Sequence, residues 1–156
     1  MMRGVRPGYT VIELIMVLVI GAILLGMVVS GASGYVSRKR VSNARDAFVY
    51  LAMRARAAAI ERGRNVSVHL SASHGLVMVN EGCSPSGEAL ERLALADEFF
   101  ATVHASPDPL SVCYSPRGFA IATHTNISAP TIVSFVIGKD TARARVAPLG
   151  QVEGIR

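Results

Sequence analysis

Between Leu14 and Val29 the chain carries no polar side chain, and directly before that run stands a single carboxylate, Glu13. From Val11 through the Gly/Ser stretch at 30–34 to Val36, a helix would reach roughly 39 Å at 1.5 Å per residue. A bilayer's hydrocarbon core is about 30 Å thick. The run is therefore expected to span a membrane rather than to pack inside a water-soluble core. Glu13 is the exception in it. A charge held in hydrocarbon costs roughly 2.5–3.5 kcal/mol, so the carboxylate either meets a partner or lies near the interface and reaches water through its own side chain. Gly21, Gly26, Gly31 and Gly34 suit close helix–helix approach, although ordinary membrane-helix composition accounts for them equally well.

The formal net charge is +5, and its placement matters more than its size. Residues 1–8 contain Arg3 and Arg6. Residues 9–62 hold seven Lys/Arg against Glu13, Asp46 and Glu61. Residues 63–156 hold seven Lys/Arg against eight Asp/Glu. The C-terminal part is thus nearly neutral and has no basic stripe interleaved with aromatics, so nucleic acid is not an expected partner. By charge alone, Arg38, Lys39 and Arg40 outweigh Arg3 and Arg6, which would place the C-terminal part in the cytoplasm.

Beyond the apolar run, residues 41–62 contain no Pro or Gly. Val41, Ala44, Phe48, Leu51, Ala55 and Ala59 recur at three- and four-residue steps and form one helical face. Gly63 follows as a C-cap, with Arg62 in the favourable last turn. A single helix from about Thr10 to Arg62, roughly 80 Å long, is predicted. After Gly63 the period changes to that of strands. Strands are predicted at 66–70, 76–79, 99–104, 110–114, 119–124, 131–137 and 141–147, with 138–140 as a hairpin turn and 151–156 as a short edge. Residues 80–98 read as an irregular region with a helical turn near 90–95. His69 and His124 are expected to face water.

Cys83 and Cys113 are the only cysteines. Outside the cytoplasm an even pair reads as one disulfide; two buried thiols are the other reading. The four histidines lack metalloprotease spacing, and there is no phosphate-binding loop, nucleophile elbow or paired-carboxylate motif. No catalytic residue, metal or cofactor is expected.

Gly8-Tyr9-Thr10-Val11-Ile12-Glu13-Leu14, after a short basic leader, resembles the leader motif of type IV pilins and type II secretion pseudopilins. The resemblance implies cleavage after Gly8 by a prepilin peptidase and methylation of Tyr9 as the new N-terminus. It also implies that Glu13 is the assembly residue, paired with the Tyr9 amine of a neighbouring subunit. Tyr9 stands where phenylalanine is usual. Many major pilins also carry a proline late in the apolar segment, and this chain has none between Pro7 and Pro85.

Arg64-Asn65-Val66-Ser67-Val68, Ser115-Pro116-Arg117-Gly118-Phe119 and the closing 133–146 hairpin resemble the GspH/FimT group of minor pseudopilins and minor pilins. The implied fold is α+β and pilin-like, a long N-terminal helix packed on a small antiparallel β-rich head. Its parts are a leader at 1–8, a transmembrane segment at 9–36, an amphipathic segment at 37–62 and a head at 63–156. The implied partners are other pilin or pseudopilin subunits, the peptidase, an inner-membrane assembly platform and the lipid bilayer. The implied location is the bacterial inner membrane with the head in the periplasm, opposite to the charge count. Secretion pseudopilus and type IV pilus both fit. The rival readings are a single-pass anchored binding or sensor domain that never assembles, and an anchored enzyme.

Overall fold

The computed structural model describes residues 10–155, with side chains 27–33 outside that description. Helix α1 runs Val11–Arg62. Eight strands and one short helix follow: β1 Val66–Ser71, β2 Leu76–Glu81, β3 Ala89–Ala94, α2 Leu95–Phe99, β4 Thr102–His104, β5 Leu110–Tyr114, β6 Thr131–Ile137, β7 Asp140–Val146 and β8 Val152–Ile155. The chain divides into two compact units, Met1–Val36 and Ser37–Arg156.

In the first unit the large apolar side chains of the helix are exposed, from Val11 at 75% through Leu18 at 65% to Leu25 at 67%. The second unit has a continuous core. Its two antiparallel sheets have strand orders β3-β2-β1-β5 and β4-β6-β7-β8. The six helix positions picked out by their spacing, Val41, Ala44, Phe48, Leu51, Ala55 and Ala59, are all buried. Small residues alternate with Phe48 and Leu51 along this face, which lets the backbone approach the sheets while two large side chains fill the space between. Phe48 meets Phe135 of β6 at 5.8 Å between ring centroids. Burying a side chain of that size stabilises by roughly 1.5–3 kcal/mol.

Contacts along α1 show which sheet each part covers. At the start of the second unit Ser37 and Arg38 reach the Asp140 carboxylate at the head of β7. Further along, Arg45 crosses Gly154 of β8, where any side chain would sit about 3.0 Å from the guanidinium. Near the C-terminal end Arg54 pairs with Glu91 of β3. Arg62 and Arg64 close on Glu81 at the end of β2, at 3.6 and 2.6 Å. The first turns of this segment thus lie on the second sheet and the last turns on the first. Gly63, with φ +63°, ends the helix in the left-handed conformation.

The structure corrects three sequence readings. Residues 89–94 form β3 rather than a helical turn, and the helix that follows is α2, so the next strand begins at Thr102 instead of 99. The segment 119–124 is not a strand: Ala120 makes one bridge to Tyr114 and Ala122–His124 is a 3-10 turn. His69 is buried, at 6% exposure. Its strand β1 is covered on both faces.

Candidate functional site

The feature that asks for a partner is the first unit's apolar surface, and Glu13 sits at its start. Thr10 precedes the helix, and its carbonyl and Oγ1 both accept from the Glu13 amide, at 3.1 and 3.3 Å. Thr10-Val11-Ile12-Glu13 thus has the spacing of a capping box, with Thr10 as N-cap and Glu13 three positions on. A carboxylate in a first turn also complements the helix dipole. Reading Glu13 from the sequence only as a misplaced charge misses its place in the first turn behind the Thr10 cap, although the T-x-x-E spacing is legible there. The expected cleavage and methylation positions, Gly8 and Tyr9, lie outside the described residues. Among the described residues no helix is long and apolar enough to cross a membrane. The expected span, 9–36, includes Tyr9 and the side chains of 27–33, which are outside that description.

The head contains one covalent staple. Cys83 and Cys113 are disulfide-bonded, with Cα atoms 5.3 Å apart across 30 residues of sequence. Cys113 stands opposite Ser67 on the face of the first sheet turned away from α1's buried stripe. Asn80, opposite Ser67 on the other side, donates to the carbonyls of Pro85 and Gly87 at 2.8 and 3.1 Å. Disulfide and amide together hold the 82–88 loop. The face they help to close is polar and dry: Ser67, Asn80 and His69 are all buried. His69 Nε2 lies 2.9 Å from Ser67 Oγ. Burial pushes the His69 imidazole pKa down, because desolvation disfavours the cation.

Other polar groups serve the fold in the same way. The Asp108 carboxylate accepts from the Ala72 and Ser73 amides at 2.8 and 3.0 Å. These hydrogen bonds, Ala72's foremost, hold its pKa below the usual carboxylate value. With His104 it lines a surface hollow of about 300 Å³. A second hollow, about 180 Å³, lies between α1 and Gly150–Val152. At its floor Tyr114 donates to the Gly150 carbonyl at 2.8 Å, and burial pushes the phenol up to about 12. Among the described residues no three His, Cys, Asp or Glu side chains converge as metal ligands.

A long N-terminal helix whose second part packs on a small antiparallel β-rich head is the pilin-type α+β fold. Two kinds of solved structure share it with this chain. The type IV minor pilin FimU of Pseudomonas aeruginosa matches at a TM-score of 0.60 and 8% identity, over 78% of this chain and 92% of that one. A second crystal form matches at 0.54 and 11%, over 74% and 92%. The minor pseudopilin EpsH from the Type 2 Secretion System of Vibrio cholerae matches at 0.53 and 10%, over 74% and 96%. At these identities the likeness is one of fold. No family model matches the sequence, and no curated protein matches it.

Proposed function

We propose that the chain is a minor pilin or pseudopilin: a structural subunit, not an enzyme, inserted in the bacterial inner membrane with its head in the periplasm. It is cut after Gly8 by a prepilin peptidase, methylated on Tyr9, and assembled through its N-terminal helix into a type II secretion pseudopilus or a type IV pilus. The observation that carries this reading is one helix with two surfaces. Its second part is buried on a pilin-type head, and its first part leaves a run of large apolar side chains uncovered. A surface that size needs a bilayer or other helices. A filament built from such subunits offers the second environment after a membrane has supplied the first. A disulfide in the head suits an oxidising compartment.

Glu13 has two tasks in this reading. It stands in the first turn of its own helix, where its charge complements the dipole, and after removal of residues 1–8 its carboxylate pairs with the new α-amine of a neighbouring subunit. An unmatched carboxylate in an apolar environment is costly, so the pair fixes the axial position of each subunit.

The test is intact-mass analysis of the protein from cells with an active prepilin peptidase. The expected mass lacks residues 1–8 and carries one methyl group on Tyr9. A mass retaining the leader, with Tyr9 unmodified, would overturn the proposal. Cross-links between helices of separate copies are expected in the assembled state, whereas an anchored monomer gives none.

A further inference from the structure

One end of the second sheet collects features that neither the core nor the assembly surface uses. Thr102 of β4 pairs with Val136 near the end of β6. Phe100, just before β4, therefore lies at the same end as the Gly138–Lys139 turn between β6 and β7. Residues 37–40 of α1 come to this end as well. Ser37 and Arg38 reach Asp140, and the Arg40 guanidinium lies over the Phe100 ring at 5.6 Å from its centroid.

Phe100 is unusual here on two counts. It is the left-handed C-cap of α2, with φ 57°, a conformation that bulky residues rarely adopt. It is also 68% exposed. On the segments that meet at this end, Arg38, Lys39, Arg40 and Lys139 are all exposed. The nearby carboxylate Asp140, only 13% exposed, is engaged by Ser37 and Arg38 and so offsets part of the Arg38 charge. Asp97 and Glu98 on α2 are exposed acids close to Phe100 in sequence, so attraction for an anion must come chiefly from Lys39, Arg40 and Lys139, with Arg38 shared with Asp140. Along the chain no carboxylate occurs between Glu13 and Asp46, which leaves this basic run unneutralised by its own segment directly after the apolar one.

We propose that this end of the head docks on an anionic phospholipid surface, with Arg38, Lys39, Arg40 and Lys139 on headgroup phosphates and Phe100 entering the interface. The inference rests on the membrane-anchored reading of the first unit. The occupant follows from charge and chain order. Basic groups directly after an apolar run meet the phosphate layer, and an aromatic ring is well suited to that depth. The Arg40 guanidinium lies over the exposed Phe100 ring, so cation and ring are presented together.

The chain contains no tryptophan, so Phe100→Trp gives a single reporter in the full-length protein. It is reconstituted in phosphatidylcholine vesicles with or without phosphatidylglycerol, both carrying acyl-brominated lipid as quencher. Emission from the introduced indole is expected to shift to the blue and be quenched in the anionic vesicles only. High salt reverses this without any further mutation. The triple change Arg38→Gln, Lys39→Gln, Arg40→Gln also abolishes it, and Lys39→Gln or Arg40→Gln alone weakens the contact roughly fivefold.

A separate Leu18→Trp protein reports on the apolar run. In anionic vesicles, a quenched indole in the Leu18→Trp protein with a water-like one in the Phe100→Trp protein overturns the docking proposal and leaves anchoring intact. An unquenched indole in the Leu18→Trp protein overturns the anchored reading and the docking with it. Emission from the Phe100→Trp protein that follows protein density instead of lipid composition assigns the surface to a second copy, and also overturns the proposal.

Discussion

Phe48 and Phe135 join α1 to β6 through tilted rings 5.8 Å apart, and both are essentially inaccessible to water. Their neighbours on the helix face are mainly alanines, so nothing nearby can expand into the space that either ring would leave. Phe48→Ala is expected to cost about 3–5 kcal/mol. Tyr50→Ala, two residues on and 58% exposed, should cost far less. Denaturant unfolding of the two variants checks this.

His69 makes stability depend on pH. Its folded-state pKa lies below the ordinary 6.5 because burial penalises the cation. The unfolded chain therefore takes up a proton first as pH falls. The stabilisation is fully present above pH 6.5 and is lost as pH drops from there toward the folded-state value. His69→Gln should flatten this part of the stability profile, and thermal melts at a series of pH values between 5 and 8 will show it. A profile unchanged by the substitution would remove His69 as the cause.

Reducing the Cys83–Cys113 bond releases the 82–88 loop from β5. The 30-residue closure predicts a loss of roughly 3–4 kcal/mol. Asn80 keeps its two bonds to the Pro85 and Gly87 carbonyls only while the loop stays folded. Amide hydrogen exchange should therefore quicken first at residues 82–88 in the Cys83→Ser, Cys113→Ser protein.

Two turn glycines separate backbone conformation from contact. Gly138 and Gly150 both have positive φ, 59° and 82°. A side chain at Gly138 would meet nothing within 4 Å, whereas one at Gly150 would lie 2.6 Å from the Tyr114 ring and 3.0 Å from Ala120. Gly138→Ala should cost about 1 kcal/mol, the left-handed penalty alone. Gly150→Ala should cost about 1–3 kcal/mol more. Equal melting temperatures for the two variants would contradict this.

The two roles assigned to Glu13 separate by substitution. Glu13→Gln keeps a side chain that can serve a capping box but removes the charge; Thr10→Ala removes the cap but keeps the charge. If the charge carries assembly, Glu13→Gln should lower the yield of helix–helix cross-links while Thr10→Ala leaves them nearly intact. Glu13→Lys should be worse than Glu13→Ala, because it sets a like charge against the neighbouring amine. The reverse order for Gln and Thr10→Ala would make the helix start, and not the Glu13 charge, the feature that assembly needs.

The helix face and most strands were legible because their burial is simple. One stripe on α1 and one face of β6 and β7 turn inward, and apolar spacing records both. β3 was not legible. In Ala89-Leu90-Glu91-Arg92-Leu93-Ala94 the leucines are three apart, which imitates a helix, and the strand exists because β2 pairs with it through a shift in register between Val79 and Asn80. Phe119–Ile121 has the composition of a strand, yet the β5 edge it approaches is occupied mainly by single contacts. Ile121 donates to the Cys113 carbonyl, Thr125 Oγ1 accepts from the Cys113 amide, and Asn126 accepts from the Ser111 amide. His69 misleads because alternation marks one face of β1 as polar, and polarity does not reveal that a disulfide-held loop helps close that face. At the N-terminal end Glu13's oddity was plain in the sequence. Its bond to Thr10 needed the helix start to be placed.

Ser37 meets Asp140 across 103 residues of sequence. The helix is made first, yet β6 and β7, which meet its Ser37–Phe48 part, are among the last strands to leave the ribosome. Contacts this distant in sequence fold slowly, since loop closure precedes the contacts that stabilise it. During that interval the early part of the stripe, from Val41 to Phe48, lacks the strands that cover it in the folded head. Until β6 and β7 are made, that part of α1 is as uncovered as the apolar run before it.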